Sequence, residues 1–148
     1  IRKRAYLWQV MSIIWAETVS RHRKNPDHIT DVFLDEVWAL LKAPGGGEAI
    51  ENMARRYRKR QGILWMATQE VDEFLHSEVG RRILKIVGTT ILMSQTEYAA
   101  DELQDVLHFS DYIRNMLVEM PTGKSVIKLP VGTKVIRTFI PEDTKGIL

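Results

Sequence analysis

The stretch Val32-Phe-Leu-Asp-Glu36 decides the fold of this chain. Three apolar residues lead into two carboxylates, and a turn at Asn25-Pro-Asp27 precedes them. A short run of β-branched and aromatic residues that is bounded by turn residues predicts a β-strand. We therefore place a strand at 30–34 and expect the Asp-Glu pair to lie just beyond its carboxyl end.

Helical and strand patterns alternate on both sides of that strand. Apolar residues at helical spacing predict helices at 2–24, 37–42, 48–60, 70–87 (in two pieces around Gly80) and 97–119 (with a break near 109–110). Short apolar runs predict further strands at 63–67, 89–93, 125–129 and 134–140. This alternation indicates an α/β chain with a mainly parallel sheet, to which the last two strands add an antiparallel hairpin around 130–133.

Two groups of residues are expected to be buried. The run Ile63-Leu-Trp-Met-Ala67 lacks polar alternation, which is typical of a strand covered on both faces. The tryptophans fall on apolar faces of their predicted elements, so we expect them in the core: Trp8, Trp15, Trp38 and Trp65.

Composition excludes several classes of protein. The 148 residues, 45% of them apolar and 27% charged, suit one compact domain or a large piece of one. The chain has no cysteine, which excludes disulfides and thiolate metal sites and suits a reducing cytoplasm. A net charge of +2 is too small to indicate a nucleic-acid partner by itself. The chain starts at Ile1 in what reads as helix interior, without a signal peptide, so we expect a fragment of a longer protein.

Polar residues follow each of the three internal strands: Asp35-Glu36, Thr68-Gln69 and Ser94-Gln95. In open parallel sheets, ligands bind outside the carboxyl ends of the strands. If these strands are neighbours, their ends form one polar rim above an apolar sheet. We therefore expect a functional site at this rim.

The Asp-Glu pair has the form of a Walker B element, in which two carboxylates have different tasks. One binds Mg²⁺, directly or through water, and the next activates the water that attacks a γ-phosphate. We assign Asp35 to the magnesium ion and Glu36 to the water. The structural alternative is an acidic pair at the start of a helix, where the helix dipole favours negative charge.

Gln69 follows the neighbouring strand and supports the same interpretation. An amide at that position can form hydrogen bonds with both the attacking water and the γ-phosphate, and so act as a sensor. Its alternative is a place in the cap of the next helix, at Thr68-Gln69-Glu70.

The segment Arg55-Arg-Tyr-Arg-Lys-Arg60 has five cations in six residues near a predicted helix end. A solvated basic face is the default there, because cations favour helix C-termini. The functional alternatives are an arginine finger that reaches the γ-phosphate of a neighbouring subunit, or a contact to nucleic-acid phosphate.

Two other segments imitate phosphate-binding loops. Thr122-Gly-Lys-Ser125 lacks the glycine that the loop pattern needs five residues before Gly123, where the chain has Val118. Gly45-Gly-Gly47 lacks the Lys-Ser/Thr pair and reads as a flexible surface turn. The four histidines have no metal-ligand spacing.

Three segments, taken together, resemble one known family: Asp31-Val-Phe-Leu-Asp-Glu-Val-Trp-Ala-Leu-Leu-Lys42, Met53-Ala-Arg-Arg-Tyr-Arg-Lys-Arg60 and Ile63-Leu-Trp-Met-Ala-Thr-Gln-Glu-Val-Asp-Glu-Phe-Leu75. Over residues 28–95 their order and spacing look like the large cytoplasmic ATPase of type IV secretion and conjugation, the fourth VirB protein and its TraC-type relatives. The tail, with Ile140-Pro-Glu142, is compatible with that family. The wider superfamily includes DNA translocases of the HerA and FtsK type.

The resemblance implies a RecA-like three-layer α/β fold with helices on both faces of the sheet, ATP hydrolysis with Mg²⁺, and assembly into a hexamer. It implies other secretion or conjugation subunits as partners, with DNA as a further candidate, and a cytoplasmic location, peripheral at the inner face of the cell membrane. It maps Asp35 and Glu36 onto Walker B and Gln69 onto the sensor. Arg58 fits the finger, with Arg55 and Arg56 as second choices.

One feature of that family is missing from the sequence. No GxxxxGK[S/T] segment precedes Asp35. We therefore interpret residues 1–148 as the C-terminal portion of a RecA-like ATPase domain, which is inactive alone because the phosphate-binding part is absent. The alternatives are a DNA-translocating ATPase of the HerA or FtsK type, and a non-catalytic interaction module that uses the basic helix 48–60.

Overall fold

The computed structural model describes residues 2–138, with side chains for residues 9–57 and 59–138. The chain divides into two compact units, the first ending at Ile86 and the second beginning at Val87. The predicted tail segment Ile140-Pro-Glu142 lies outside the described residues.

The first unit contains a parallel pair of strands and five helices. Its elements are α1 (Arg2–Lys24), β1 (Thr30–Leu34), α2 (Val37–Leu41), α3 (Gly46–Tyr57), a 3₁₀ turn (Arg58–Arg60), β2 (Gly62–Met66), α4 (Val71–His76) and α5 (Glu78–Ile86). β1 and β2 pair in parallel, with Thr30 opposite Gly62 and Leu34 opposite Met66. The crossover through α2 and α3 confirms the predicted strand–helix–strand unit.

The second unit contains an antiparallel sheet and two helices. Its elements are β3 (Thr90–Leu92), α6 (Glu97–Leu107), α7 (Asp111–Glu119), β4 (Lys124–Leu129) and β5 (Gly132–Arg137). β4 and β5 form the predicted hairpin. β3 was expected among the parallel strands, but it pairs antiparallel with β4. A short apolar run predicts a strand and carries no information on the direction of its partner, which explains the error.

Some predicted boundaries also differ from the structure. The break in the helix predicted at 70–87 falls at Ser77, whereas Gly80 is buried inside α5. Gly46 and Gly47 are not a flexible surface turn, because they begin α3 and Gly47 packs against Val79. β5 ends at Arg137, and residues 139 and 140 of the predicted strand are not described.

The core of the first unit is organised around Tyr57, whose side chain is 1% exposed. Its hydroxyl lies 3.2 Å from Thr18 Oγ1, and the Thr18 hydroxyl itself donates to the carbonyl of Ile14 at 2.8 Å. Tyr57 is therefore the donor in the first contact. Its ring contacts Trp15, with centroids 5.7 Å apart. Burial raises the pKa of the Tyr57 hydroxyl above its ordinary value, so this contact ties α1 to α3 through a neutral phenol.

Gly62, the first residue of β2, has no room for a side chain beside that ring. A Cβ there would lie 2.5 Å from Cδ1 of Tyr57. We expect Gly62→Ala to lower the free energy of unfolding by about 1–3 kcal/mol, because an overpacked core must distort. Gly88→Ala is the matched control, since its Cβ would meet nothing within 4 Å. Urea denaturation of both variants measures the difference, and equal unfolding midpoints would contradict the prediction.

One face of the β1–β2 pair is exposed, contrary to the expectation that β2 is covered on both faces. Phe33 is 73% exposed and Trp65 46% exposed, and their rings stack at 5.5 Å. The indole N–H of Trp65 donates to Asp31 Oδ1 at 3.1 Å. The expectation that Trp65 is a core residue is therefore wrong for this chain. Trp15 and Trp38 are half-buried, and the side chain of Trp8 is not described.

Candidate functional site

The carboxyl ends of β1 and β2 are held together beyond the last strand residues. The amide of Ala67 donates to the carbonyl of Leu34 at 2.9 Å, and the amide of Val37 donates to the carbonyl of Ala67 at 3.0 Å. Asp35 and Glu36 lie between Leu34 and Val37, the two residues that bond to Ala67, and Thr68-Gln69 follow Ala67 in the chain. We call these four residues the carboxyl edge. Two of the three predicted rim segments are thus neighbours, and Ser94-Gln95 belongs to the second unit.

The Asp-Glu pair has a backbone conformation that differs from an ordinary helix start. Asp35 is exposed, and its Oδ1 accepts a hydrogen bond from the amide of Glu36 at 2.9 Å. Glu36 has φ 48° and ψ 47°, the left-handed region that residues other than glycine adopt infrequently. It occupies the cap position of α2, but its side chain makes no capping hydrogen bond. The pair thus lies at a helix start, as the structural alternative predicts, but the Glu36 carboxylate does not cap that helix.

The carboxylate of Glu36 instead contacts a tryptophan two residues further on. The indole N–H of Trp38 donates to Glu36 Oε2 at 2.7 Å. The ammonium of Lys42 lies 4.7 Å from the centre of the Trp38 ring and forms a 2.9 Å ion pair with Glu73 of α4. Trp38 is half-buried, and its place on an apolar face of the predicted helix gives no sign of this contact. Glu36 makes this contact from a left-handed backbone conformation, which has no signal in the sequence.

The segment that follows β2, which begins with Thr68-Gln69, has polar side-chain atoms without hydrogen-bond partners. Gln69 is exposed, and its carbonyl accepts from the amide of Val71 at 3.2 Å. The cap position of α4 is Glu70, which makes no side-chain capping bond. Among the described residues, Thr68 Oγ1 and Asp72 Oδ1 are buried oxygens without a hydrogen-bond partner. The capping alternative for Thr68-Gln69 is therefore not supported by any contact of these side chains.

These oxygen atoms match the requirements of a hard cation with a phosphate ligand. Magnesium binds oxygen, keeps several waters and uses one or two protein carboxylates. Asp35 offers an exposed carboxylate, and the Thr68 hydroxyl can accept from a water or donate to an anionic oxygen. The carboxyl edge thus fits a magnesium–phosphate group.

The basic run lies at the opposite end of the same strands. The amide of Thr30 donates to the carbonyl of Gln61 at 3.0 Å, which fixes the 3₁₀ turn Arg58–Arg60 at the amino ends of β1 and β2. We call this end the amino edge. The five residues of β2 span about 16 Å at roughly 3.3 Å per residue. The backbone therefore places Asp35, Glu36 and Gln69 at one end of the strand pair and Arg58 at the other.

The arginine candidates differ in their contacts. Arg55 donates from Nε and Nη2 to Glu51 Oε1, at 3.1 and 2.8 Å, while Arg82 of α5 donates to Glu51 Oε2 at 3.0 Å. These hydrogen bonds, that of Arg55 first, hold the pKa of the Glu51 carboxyl below its ordinary value. Arg55 therefore has a structural role within the unit. Arg56 is exposed, and the side chain of Arg58 is outside the described part of the chain.

Comparison with known proteins decides the family. The model of the TraG P-loop domain matches residues 1–128. The chain belongs to the TraG P-loop domain family. This places it among the P-loop domains. None of the curated proteins compared with the chain matches it.

One solved structure is similar to this chain over nearly its whole length. VirB4 of Thermoanaerobacter pseudethanolicus matches with a TM-score of 0.79 and 23% sequence identity, over 95% of this chain and 38% of that one. The chain thus spans well under half the length of that VirB4 chain. The match fits a RecA-like α/β fold, which confirms the predicted fold class.

P-loop families are named for a glycine-rich loop, and the segment of this sequence that imitates one is a turn. Gly123 has φ +83° and precedes β4, whose first residue is Lys124. Ser125 is buried within that strand, so its hydroxyl does not face a ligand. The structure therefore agrees with the rejection of Thr122–Ser125 as a phosphate-binding loop. Among the side chains of residues 9–57 and 59–138, no three His, Asp or Glu form a metal cluster. None of the helices within residues 2–138 has the length and hydropathy of a membrane span.

Proposed function

We propose that this chain supplies the hydrolysis residues of an ATP-driven motor for conjugative transfer or type IV secretion. The observation that carries the proposal is the carboxyl edge, where the Asp-Glu pair of β1 adjoins Thr68-Gln69 after β2. Glu36 acts as the base that activates the attacking water, and Gln69 orients that water and senses the γ-phosphate. Family membership supports the choice of nucleotide hydrolysis over other uses of an acidic edge.

Asp35 has a separate task in this proposal. Its carboxylate is exposed at the strand end, and we infer that it binds the magnesium ion of MgATP, partly through water. When bound, the metal ion neutralises charge that develops on the phosphate oxygens. Asp35 therefore positions the nucleotide, whereas Glu36 handles the proton.

The chain forms, in this proposal, the C-terminal portion of a RecA-like domain whose phosphate-binding loop is supplied from elsewhere. Two observations support it. The sequence has no GxxxxGK[S/T] segment. The stacked rings of Phe33 and Trp65 are exposed on one sheet face, and an exposed apolar face of a sheet is typical of a surface that packs against another element. The chain alone then lacks the main phosphate contact and is inactive.

The proposed motor function also implies an oligomeric assembly and a location in the cell. The amino and carboxyl edges lie at opposite ends of β1 and β2, so a finger from one subunit can complete the site of the next in a head-to-tail ring, here a hexamer. Other secretion or conjugation subunits are the expected partners, with DNA as the transported or contacted polymer. The complex is expected at the cytoplasmic face of the cell membrane, in peripheral contact.

Hydrolysis and binding assays test this function directly. We expect Mg²⁺-dependent ATP turnover by the longer protein that contains the phosphate-binding loop, and neither turnover nor tight MgATP binding by residues 1–148 alone. Calorimetric titration with MgATP and a phosphate-release assay measure both. Absence of turnover by the longer, folded protein would contradict the proposal.

A second function is favoured by the exposed cations at the amino edge. Arg56 and Lys59 are exposed, and the described residues show no acidic partner for either. A basic surface of this kind suits nucleic-acid phosphate, either in a DNA translocase of the HerA or FtsK type or in a non-catalytic interaction module. The module becomes the better description if residues 1–148 alone bind an oligonucleotide with strong salt dependence while the longer protein lacks ATP turnover.

A further inference from the structure

We propose that Trp38 is a positioning residue for Glu36, and that its indole N–H fixes the direction of the carboxylate that activates water. The inference rests on the proposed function, since it concerns the same base. It goes further in naming the residue that orients that base and the atoms through which it acts.

The contact itself is strong and directional. Trp38 Nε1 lies 2.7 Å from Glu36 Oε2, which is short for a nitrogen–oxygen hydrogen bond and typical of one to an ionised carboxylate. An indole offers one donor and no acceptor, so it can bind the carboxylate at one oxygen only. No other hydrogen bond to the Glu36 carboxylate is recorded among the described side chains. Oε1 therefore stays available to accept the proton of a water molecule.

The conformation of Glu36 explains why an orienting partner is needed. A residue other than glycine in the left-handed region is strained and persists where its surroundings hold it. The amide of Glu36 is held by Asp35 Oδ1, and its side chain is held by Trp38. A flexible carboxylate with no anchor would sample several rotamers, and a misdirected base loses catalytic efficiency.

Trp38 is itself held in place by Lys42, which connects it with the segment after β2. Lys42, one turn further along, lies over its ring, and Lys42 is paired with Glu73 of α4. Because α4 begins shortly after Gln69, the series from Glu36 through Trp38 and Lys42 to Glu73 connects the two segments of the carboxyl edge. In this proposal the side-chain conformation of Glu36 is thereby coupled to the position of the segment that contains Gln69.

Trp38→Phe tests the role. Phenylalanine keeps an aromatic ring for Lys42, and it removes the N–H donor together with one of the two fused rings of the indole. In the longer protein we expect kcat for ATP to fall by about 10-fold or more, because one orienting contact to the base is lost. We expect KM for ATP to stay within about twofold, because Trp38 does not contact the nucleotide in this proposal. An unchanged or increased kcat, or a loss expressed only in KM, would overturn the inference.

The chain offers a matched control in Trp65→Phe. That substitution also removes an indole–carboxylate hydrogen bond, 3.1 Å long, from Trp65 to Asp31. The bond lies on the same strand pair but not at the carboxyl edge, so kcat should fall much less than in Trp38→Phe, although Trp65 also lies on the face proposed to pack against the rest of the domain. If both variants lose kcat equally, the effect comes from general disturbance of the sheet and the inference fails.

The hydrogen bond can also be measured without turnover, in residues 1–148 alone. The indole N–H resonance of Trp38 in a ¹⁵N-labelled sample should shift and exchange faster with solvent in Glu36→Ala than in the parent, and it should be unaffected in Glu70→Ala. An identical Trp38 resonance in Glu36→Ala would overturn the inference. Failures of the two proposals are distinguishable. If Glu36→Gln is inactive and Trp38→Phe has the parent kcat, only the positioning role of Trp38 is contradicted. If Glu36→Gln keeps full turnover, the proposed function and the positioning role are both contradicted.

Discussion

Glu36→Gln, in the longer protein with its phosphate-binding loop, is expected to reduce ATP turnover by about 100-fold or more, because general-base catalysis is typically worth 10²–10⁴ in rate. The amide keeps the size of the side chain and can still accept the hydrogen bond from Trp38 that the structure shows at 2.7 Å. It cannot accept a proton from water. MgATP binding should therefore be preserved while hydrolysis stops.

A second variant separates the two carboxylates of the pair. Asp35→Asn should weaken Mg²⁺-dependent nucleotide binding, since Asp35 is assigned to the metal, whereas Glu36→Gln should leave that binding intact. Glu70→Gln is the matched control. Glu70 is an exposed carboxylate beside the same edge, and its side chain makes no capping hydrogen bond. We measure turnover by phosphate release and affinity by calorimetry. Turnover near the parent rate in Glu36→Gln would show that the Walker B assignment is wrong.

The position of the Asp-Glu pair beside Gln69 was predictable because it follows from two local rules. An apolar run that ends in polar residues marks the end of a strand, and parallel strands joined by a helix bring their carboxyl ends to one edge. Both rules depend only on neighbouring residues and on handedness. The register that places Leu34 opposite Met66 adds detail without changing the prediction.

The errors concern features that depend on distant residues. The partner of β3 is β4, more than thirty residues later in the chain, and a three-residue apolar run does not encode that choice. Trp65 looks like a core residue because it lies in an apolar run, and such a run does not reveal whether a covering element is present in the same chain. The hydrogen bond of Trp38 is made to a Glu36 in the left-handed conformation, which has no pattern in the sequence.

The proposed arginine finger is the assignment that the backbone geometry makes most testable. Arg58 begins the 3₁₀ turn at the amino edge, and Glu36 lies beyond the opposite end of the strands, a separation of about 16 Å along β2 at roughly 3.3 Å per residue. An arginine side chain does not bridge that length. If Arg58 contacts a γ-phosphate, the nucleotide must belong to a neighbouring subunit. Arg58→Ala should then lower turnover by about 10³-fold or more, as expected for loss of an arginine finger.

Mixing two inactive variants tests whether the finger acts between subunits. In a ring assembled from equal amounts of Arg58→Ala and Glu36→Gln subunits, a site is intact where an Arg58→Ala subunit supplies Glu36 and its neighbour supplies Arg58. Random assembly gives this arrangement at about a quarter of the sites, so about a quarter of the parent turnover should return. If the finger acted within its own subunit, no mixture would regain activity.

The other arginines provide the internal comparison for that experiment. Arg55→Ala removes the contact with Glu51 that helps to join α3 to α5, so it should lower stability without the complementation pattern. Arg56→Ala, mixed in the same way, tests the exposed second choice. Complementation by Arg56→Ala and none by Arg58→Ala would move the finger by two residues and keep it at the amino edge. Failure of all three mixtures, with rings still formed, would leave the basic run as a surface for nucleic-acid phosphate and contradict its role in hydrolysis.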